Sequence, residues 1–406
     1  MLVLITTYLV WIWIVASAAS RGQGFVFFAA GLAALGLALL AFRRGRRQVL
    51  HRLYYAALVA AVVALLAEAA LHLAPGILSG HVANVAYTGY HWHRGGVYTL
   101  DPHVGPILLP GVRRPMYWQG HTWMHETNVL GYRGPALTRA DVVFLGDSMI
   151  YGHGVENEDT VPSQLARLSG LATANLGQQG TSLLQSWMIF ERRGVPLRPR
   201  RVFVCLHPGD LAETTASYPA EELERLLASP LGSYEPLARP KYRPRARWNP
   251  ARVWAEELAI PMRVAGVAGA VYRGLRAGQL APAWRRRGEA ERFVPADLDQ
   301  PLSAPEAPAG SPDRLAWEAQ KRALEEVERA SERLGARVVA FDLGYPHAFS
   351  RAVEALAAES GVLYSPAGRL VLERNLAGED VYLARDGHWN ARGCGLVAGA
   401  LTPFVR

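Results

Sequence analysis

VVFLGDSMIYGHGV, residues 142–155, decides how this chain is read. A four-residue apolar run has the length and β-branched character of a buried strand. It breaks at Gly146-Asp147-Ser148, and Met149-Ile150-Tyr151 then suggests the start of a helix. In isolation, Asp147 and Ser148 are equally at home as caps of that helix. Alternatively, Ser148 is a nucleophile presented at the end of a strand, and the rest of the chain has to choose.

Downstream of residue 141, strands and helices alternate. VPSQLARLSG (161–170) is amphipathic with a glycine stop, and ATANLGQQG (172–180) reads as a short strand and a glycine loop. SLLQSWMIFERRG (182–194) reads as a helix, and RRVFVCLHPGDL (200–211) as a second buried strand with a polar turn. WEAQKRALEEVERASERLG (317–335) has apolar spacing near 3.6 and ends on Gly335. RVVAFDLG then supplies a strand, AFSRAVEALAAESG (348–361) a helix and ARGCGLVAGALTPF a closing helix. Such alternation predicts an α/β fold with a parallel sheet covered on both faces. Residues 215–315, rich in Pro and Arg, interrupt the rhythm and are expected to be an insertion.

Upstream, the composition changes. Residues 2–20, 25–42 and 53–74 are three apolar runs, each near the length of about 20 helical residues that spans a bilayer. Arg43, Arg44, Arg46, Arg47 and Arg52 lie between the second and third. By the positive-inside bias that loop stays cytoplasmic. The expected organisation is a membrane anchor of three transmembrane helices at 1–75, an irregular lead-in at 76–140, and an extracytoplasmic α/β domain at 141–406.

The net charge of +8 invites a nucleic-acid reading, but its distribution excludes one. Lys241 and Lys321 are the only lysines, and the arginines show no interleaving with aromatics of the kind single-strand binders use. Cys205 and Cys394, far apart in apolar settings, read as small buried side chains rather than a disulfide framework. HWH (91–93) and His121/His125 have neither the cysteines nor the acidic cluster of a metal site. No metal and no cofactor is expected.

Open parallel sheets present reactive groups at the carboxyl ends of their strands. Here those ends carry GDS (146–148), NLGQQG (175–180) and HPGD (207–210), and RDGHWN (385–390) precedes the last helix. A serine needs a base to become nucleophilic, and a histidine oriented by a carboxylate supplies it. His388 and Asp386 offer that pair. Backbone amides at Ser148 and Gly180 are candidate donors for the developing oxyanion.

Together these motifs resemble the SGNH (GDSL-type) hydrolase superfamily. Gly146-Asp147-Ser148 resembles its first block, Asn175-Leu-Gly-Gln-Gln-Gly180 its second and Asp386-Gly-His388-Trp-Asn its last. The lead-in TNVLGYRGP (127–135) resembles the segment before this domain in membrane-anchored members. The resemblance implies a three-layer α/β/α domain with Ser148 as nucleophile, His388 as base, Asp386 as its orienting partner and Gly180 in the oxyanion hole. Asp147, Asn175, Gly209 and Asp210 fall in or beside the same blocks, although Asn175 also reads as a residue that ties a turn together.

Two departures matter. The third block usually supplies an asparagine to the oxyanion hole, whereas this chain has Gly209 before Asp210. His207, the Gly209 amide and Gln178 are candidates to compensate. The last block is D-x-H, as in the branch that includes alginate O-acetyltransferases and related polysaccharide-modifying proteins. The implied activity is ester hydrolysis or acyl transfer, with an O-acylated and specifically O-acetylated glycan as substrate. The implied place is the outer face of a bacterial inner membrane, near envelope polysaccharide machinery. The competing reading is a catalytically weak SGNH-fold protein that binds glycan or scaffolds an envelope complex.

Overall fold

The computed structural model describes residues 97–118, 121–239, 292–296, 298–384 and 386–405, with positions 48, 55 and 59 nearer the amino terminus. The three apolar runs, but for positions 55 and 59, the HWH motif and the centre of the 215–315 insertion lie outside the described residues. Among the described residues no helix is long and apolar enough to cross a membrane. The chain divides into two compact units. The second comprises Val97–Tyr117, His121–Pro244 and Glu289–Arg406 and is the one described below.

The lead-in is more regular from residue 97 than its sequence suggests. β1 (Tyr98–Asp101) pairs antiparallel with β2 (Gly105–Leu108), matching Tyr98 to Leu108. β3 (Arg113–Trp118) pairs with β4 (His121–Glu126) in a second two-stranded sheet. Strands of four to six residues, with Gly105, Pro106 and Pro115 among them, carry too little alternation to announce themselves.

The α/β domain begins at β5 (Val142–Leu145), which leads into the short α1 (Ser148–Tyr151) and then α2 (Val161–Ser169). Next come β6 (Thr173–Asn175), α3 (Leu183–Ile189) and β7 (Arg201–Leu206). The expected helix over 182–194 stops being α-helical at Phe190, where a π-helical turn takes the chain to Gly194. α4 (Asp210–Ser217) and α5 (Ala220–Ala228) carry the chain into the insertion, and α6 (Pro312–Glu332) brings it back. β8 (Arg337–Asp342), α7 (His347–Glu359), β9 (Leu363–Ser365), α8 (Ala367–Leu376) and α9 (Ala391–Leu401) complete the unit.

The sheet is parallel throughout, in the order β6-β5-β7-β8-β9. Alternation along its strands assigns the two faces. Val143, Leu145, Val202, Val204, Val338 and Ala340 belong to one apolar cluster with α3, α5, α6 and α7. Val142, Phe144, Phe203, Cys205, Val339 and Phe341 belong to a second with α1, α2, α8 and α9. The Phe144 and Phe203 rings stack at 4.9 Å across the β5/β7 pair. Two buried faces explain why these strands read as continuous apolar runs. Cys205 and Cys394 are free and buried.

This strand order places a topological switch point between β5 and β7. The chain leaves β5 for β6 on one side and returns to β7 on the other, which opens a crevice beyond their carboxyl ends. The 146–148 and 207–210 turns face each other across it.

Candidate active site

Gly146 makes the turn out of β5. Its φ is 152°, and a Cβ there would stand 2.7 Å from Ile150 Cγ1 and 3.0 Å from Cys205 Cβ. Only glycine has both the conformation and the space. Asp147 is buried, and its Oδ1 accepts the Met149 N–H at 2.9 Å, capping α1. Ser148 is therefore presented, half-buried, as the first residue of a helix whose cap fixes its backbone.

The partner comes from the loop before α9. Leu383 donates its N–H to the His388 carbonyl, and Asp386 donates its own to the Leu383 carbonyl, which ties these three residues together. Asn390 then caps α9, accepting from the Arg392 and Gly393 amides at 3.0 Å each. Within this loop, Asp386 Oδ1 accepts the His388 backbone N–H at 3.0 Å and also a short bond from its Nδ1. His388 Nε2 lies 2.7 Å from Ser148 Oγ. Residues 240 positions apart thus form a continuous hydroxyl–imidazole–carboxylate relay.

The carboxylate end is tuned for its position. Burial alone pushes the Asp386 carboxyl up. The hydrogen bond and positive charge available from His388 outweigh burial and bring it down to about 2. A carboxylate this acidic stays ionised, holds the proton on Nδ1 and leaves Nε2 to accept one from Ser148.

The remaining predicted residues divide by role. Asn175 binds the Ile150 carbonyl through Nδ2 at 2.9 Å and accepts the Gly177 N–H at 3.0 Å, so it ties β6 to α1. Gly180, exposed with φ 66°, sits in the loop after β6. Asp210 is buried and accepts the His207 N–H at 3.2 Å. Burial and the nearby Asp147 charge push its carboxyl well above the usual carboxylate range. The Gly209 N–H donates to His207 Nδ1 at 2.8 Å. Gln178, one of the candidate compensating donors, is bound to the lead-in instead. Its Nε2 donates to the Pro106 carbonyl at 2.6 Å and its Oε1 accepts the Leu108 N–H at 2.9 Å.

Sequence reasoning missed two residues. His153 stacks on His388 with ring centroids 4.3 Å apart, and its Nδ1 is 2.8 Å from Gln179 Nε2. Burial, reinforced by His388, lowers its pKa to about 3, so it stays neutral beside the relay. The available signal was a histidine between two glycines five residues after Ser148. The other is Arg133 of the lead-in, buried against Tyr151 with its guanidinium 4.8 Å from the ring centroid. It donates to the Tyr151, Gly152, Val155 and Met124 carbonyls at 2.7–3.3 Å and to Asn157 Oδ1.

Two groups of three metal-type donors occur among the described residues: His153, Asp386 and His388, and Asp147, His207 and Asp210. In the first, both His388 nitrogens already serve Asp386 and Ser148. In the second, His207 Nδ1 accepts the Gly209 N–H, and Asp147 and Asp210 each accept a backbone N–H. These donors already have hydrogen-bond partners inside the protein.

No protein-family model matches the chain, and no curated protein matches it. Among solved structures it is similar to a G-D-S-L family protein from Desulfitobacterium hafniense DCB-2 at 11% identity and a TM-score of 0.36, covering 64% of this chain and 97% of that one. It is similar to a catalytic mutant of an acetylxylan esterase from Geobacillus stearothermophilus at 9% identity and a TM-score of 0.33, covering 66% and 95%. A GDSL-like lipase structure from Parabacteroides merdae ATCC 43184 is similar at 11% identity and a TM-score of 0.33, covering 67% and 99%.

Proposed function

We propose that this chain is a serine hydrolase of SGNH type that acts on O-acyl esters. One observation carries the reading: Ser148 Oγ, His388 and Asp386 stand in an unbroken hydrogen-bonded relay. Ser148 Oγ attacks the ester carbonyl while its proton passes to His388 Nε2. The tetrahedral intermediate collapses, and the same proton leaves with the departing alcohol oxygen. The resulting acyl-serine is then attacked by water, or by a sugar hydroxyl, which His388 deprotonates in turn; the bond from the acyl carbon to Ser148 Oγ breaks, and His388 returns the proton to that oxygen. Hydrolysis and acyl transfer share every step except the identity of that second nucleophile.

The substrate we favour is an O-acetylated glycan of the cell envelope. The D-x-H form of the last block supports it, as do the three apolar runs and the arginine cluster, which fit a tether that holds the domain outside the cytoplasm.

The test is turnover of 4-nitrophenyl acetate by the full chain and by Ser148→Ala. The reading expects activity in the first and its loss in the second. Equal rates in both would contradict it and favour the glycan-binding or scaffold alternative. Product analysis with an acetylated oligosaccharide and an unacetylated acceptor then separates release of acetate from its transfer.

A further inference from the structure

Acyl transfer through Ser148 requires fixed donors where the carbonyl oxygen becomes negative. Two backbone amides are available, since neither the Ser148 nor the Gly180 N–H is bonded within the protein among the described residues. A side-chain donor would have to come from across the switch-point crevice, at the end of β7. Of the three candidate compensating donors, Gln178 after β6 and His207 and the Gly209 amide after β7, the first and the last are committed elsewhere. Gln178 is held at both ends of its amide by the lead-in strand β2. The Gly209 amide is directed at His207 Nδ1.

His207 remains, and its protonation state follows from geometry. A nitrogen that accepts an N–H at 2.8 Å presents its lone pair, so Nδ1 carries no proton. Asp147 Oδ2, at 3.8 Å, is too distant to draw a proton onto Nδ1 by hydrogen bonding. The neutral imidazole therefore carries its proton on Nε2, which has no hydrogen-bond partner among the described residues. Burial lowers the ring's pKa and favours that neutral form.

Its position is also suitable. The β5/β7 register pairs Leu145 with Val204. Three residues further along each strand direction come Ser148 and His207. Asp147 Oδ2 lies 3.5 Å from Ser148 Oγ and 3.8 Å from His207 Nδ1, so hydroxyl and ring flank one carboxylate. The His207 side chain is 33% exposed, leaving it accessible from the crevice. Gly209 completes the arrangement: a Cβ there would stand 2.7 Å from Nδ1 and 3.0 Å from Cε1, so any side chain at 209 would displace the ring.

We infer that His207 is the side-chain donor of the oxyanion hole, with its Nε2–H hydrogen-bonded to the carbonyl oxygen of the ester in the tetrahedral intermediate. The glycine at 209 is then the space in which this histidine sits, and the missing asparagine is replaced rather than lost. This inference rests on the serine-hydrolase reading.

The test compares kcat and KM for 4-nitrophenyl acetate across the full-length wild type, His207→Ala, His207→Gln and Gly209→Ala, with melting temperatures alongside. His207→Ala should lose ~10²–10³ in kcat, the cost of one oxyanion donor, with KM and melting temperature little changed. His207→Gln, which retains an N–H donor, should recover part of the loss. Gly209→Ala should lower kcat because it moves the ring without removing it. A folded His207→Ala that turns over at the wild-type rate, while Ser148→Ala is dead, overturns this inference and leaves the hydrolase reading intact. If His207→Ala does not fold, a folded Gly209→Ala decides on the same terms: wild-type kcat in it overturns the inference. A wild type that neither turns over the ester nor reacts with a fluorophosphonate overturns both.

Discussion

Arg133 offers the most demanding test of how the lead-in supports the site. Arg133→Met keeps much of the side chain's length and removes the guanidinium. Four main-chain carbonyls, at Met124, Tyr151, Gly152 and Val155, then lose their donor. At ~1–3 kcal/mol for each buried group left unsatisfied, the ceiling is of the order of 4–12 kcal/mol. That rivals the whole stability of an ordinary domain, ~5–15 kcal/mol. Two effects reduce it. The buried cation no longer has to be desolvated, a cost visible in the downward push that burial gives its pKa. Water also reaches some of the freed carbonyls. We expect a net loss of about 3 kcal/mol, as if one to three of the four carbonyls stayed dry. Urea unfolding of the full chain, followed by tryptophan fluorescence, measures it. The same carbonyls shape the turn that carries His153, so kcat should fall in conditions where the variant is still folded. A loss under about 1 kcal/mol, with kcat unchanged, would refute the claim that this guanidinium holds the turn after α1.

Asp386→Asn removes the charge that keeps the His388 proton on Nδ1 and should lower kcat by roughly 10⁴ with KM little affected, by the precedent of a triad carboxylate replaced by its amide; esterase kinetics at neutral pH check it. His153 makes stability depend on pH. Its folded pKa, about 3, lies below the ordinary 6.5, so its contribution is complete above the unfolded value and is lost as pH falls from there through the folded one. The slope is at most ~1.4 kcal/mol per pH unit. His153→Phe keeps an aromatic ring beside His388 but removes the titration, so its stability between about pH 4 and pH 7 should vary less than that of the wild type, as read by urea midpoints.

The sheet was legible because both faces are buried: β5, β7 and β8 each appear as an apolar run ending in a polar turn. The Ser148–His388–Asp386 set was legible because its members sit at strand and helix ends that such a sheet gathers at one rim. β9 and α8 were not, since a three-residue strand has no period to detect and α8 is only weakly amphipathic. The lead-in hairpins escaped for a related reason: β1 and β2 are held by backbone pairing and by Gln178, not by alternating side chains. Gln178 itself reads as a spare donor for the site, and nothing in its local sequence shows that a segment about seventy residues earlier binds it. His153 and Arg133 belong to the same class. Their importance lies in what they touch, His388 for His153 and the turn after α1 for Arg133, and neither the glycines around His153 nor the TNVLGYRGP lead-in around Arg133 specifies those partners.

The proposed chemistry turns on activation of Ser148 by His388. Reaction of the full chain with a fluorophosphonate, followed by digestion and mass spectrometry, tests it directly. Activation by His388 predicts a single adduct on Ser148, abolished in His388→Ala. Labelling that is absent, that falls on another serine, or that persists unchanged without His388 would contradict it.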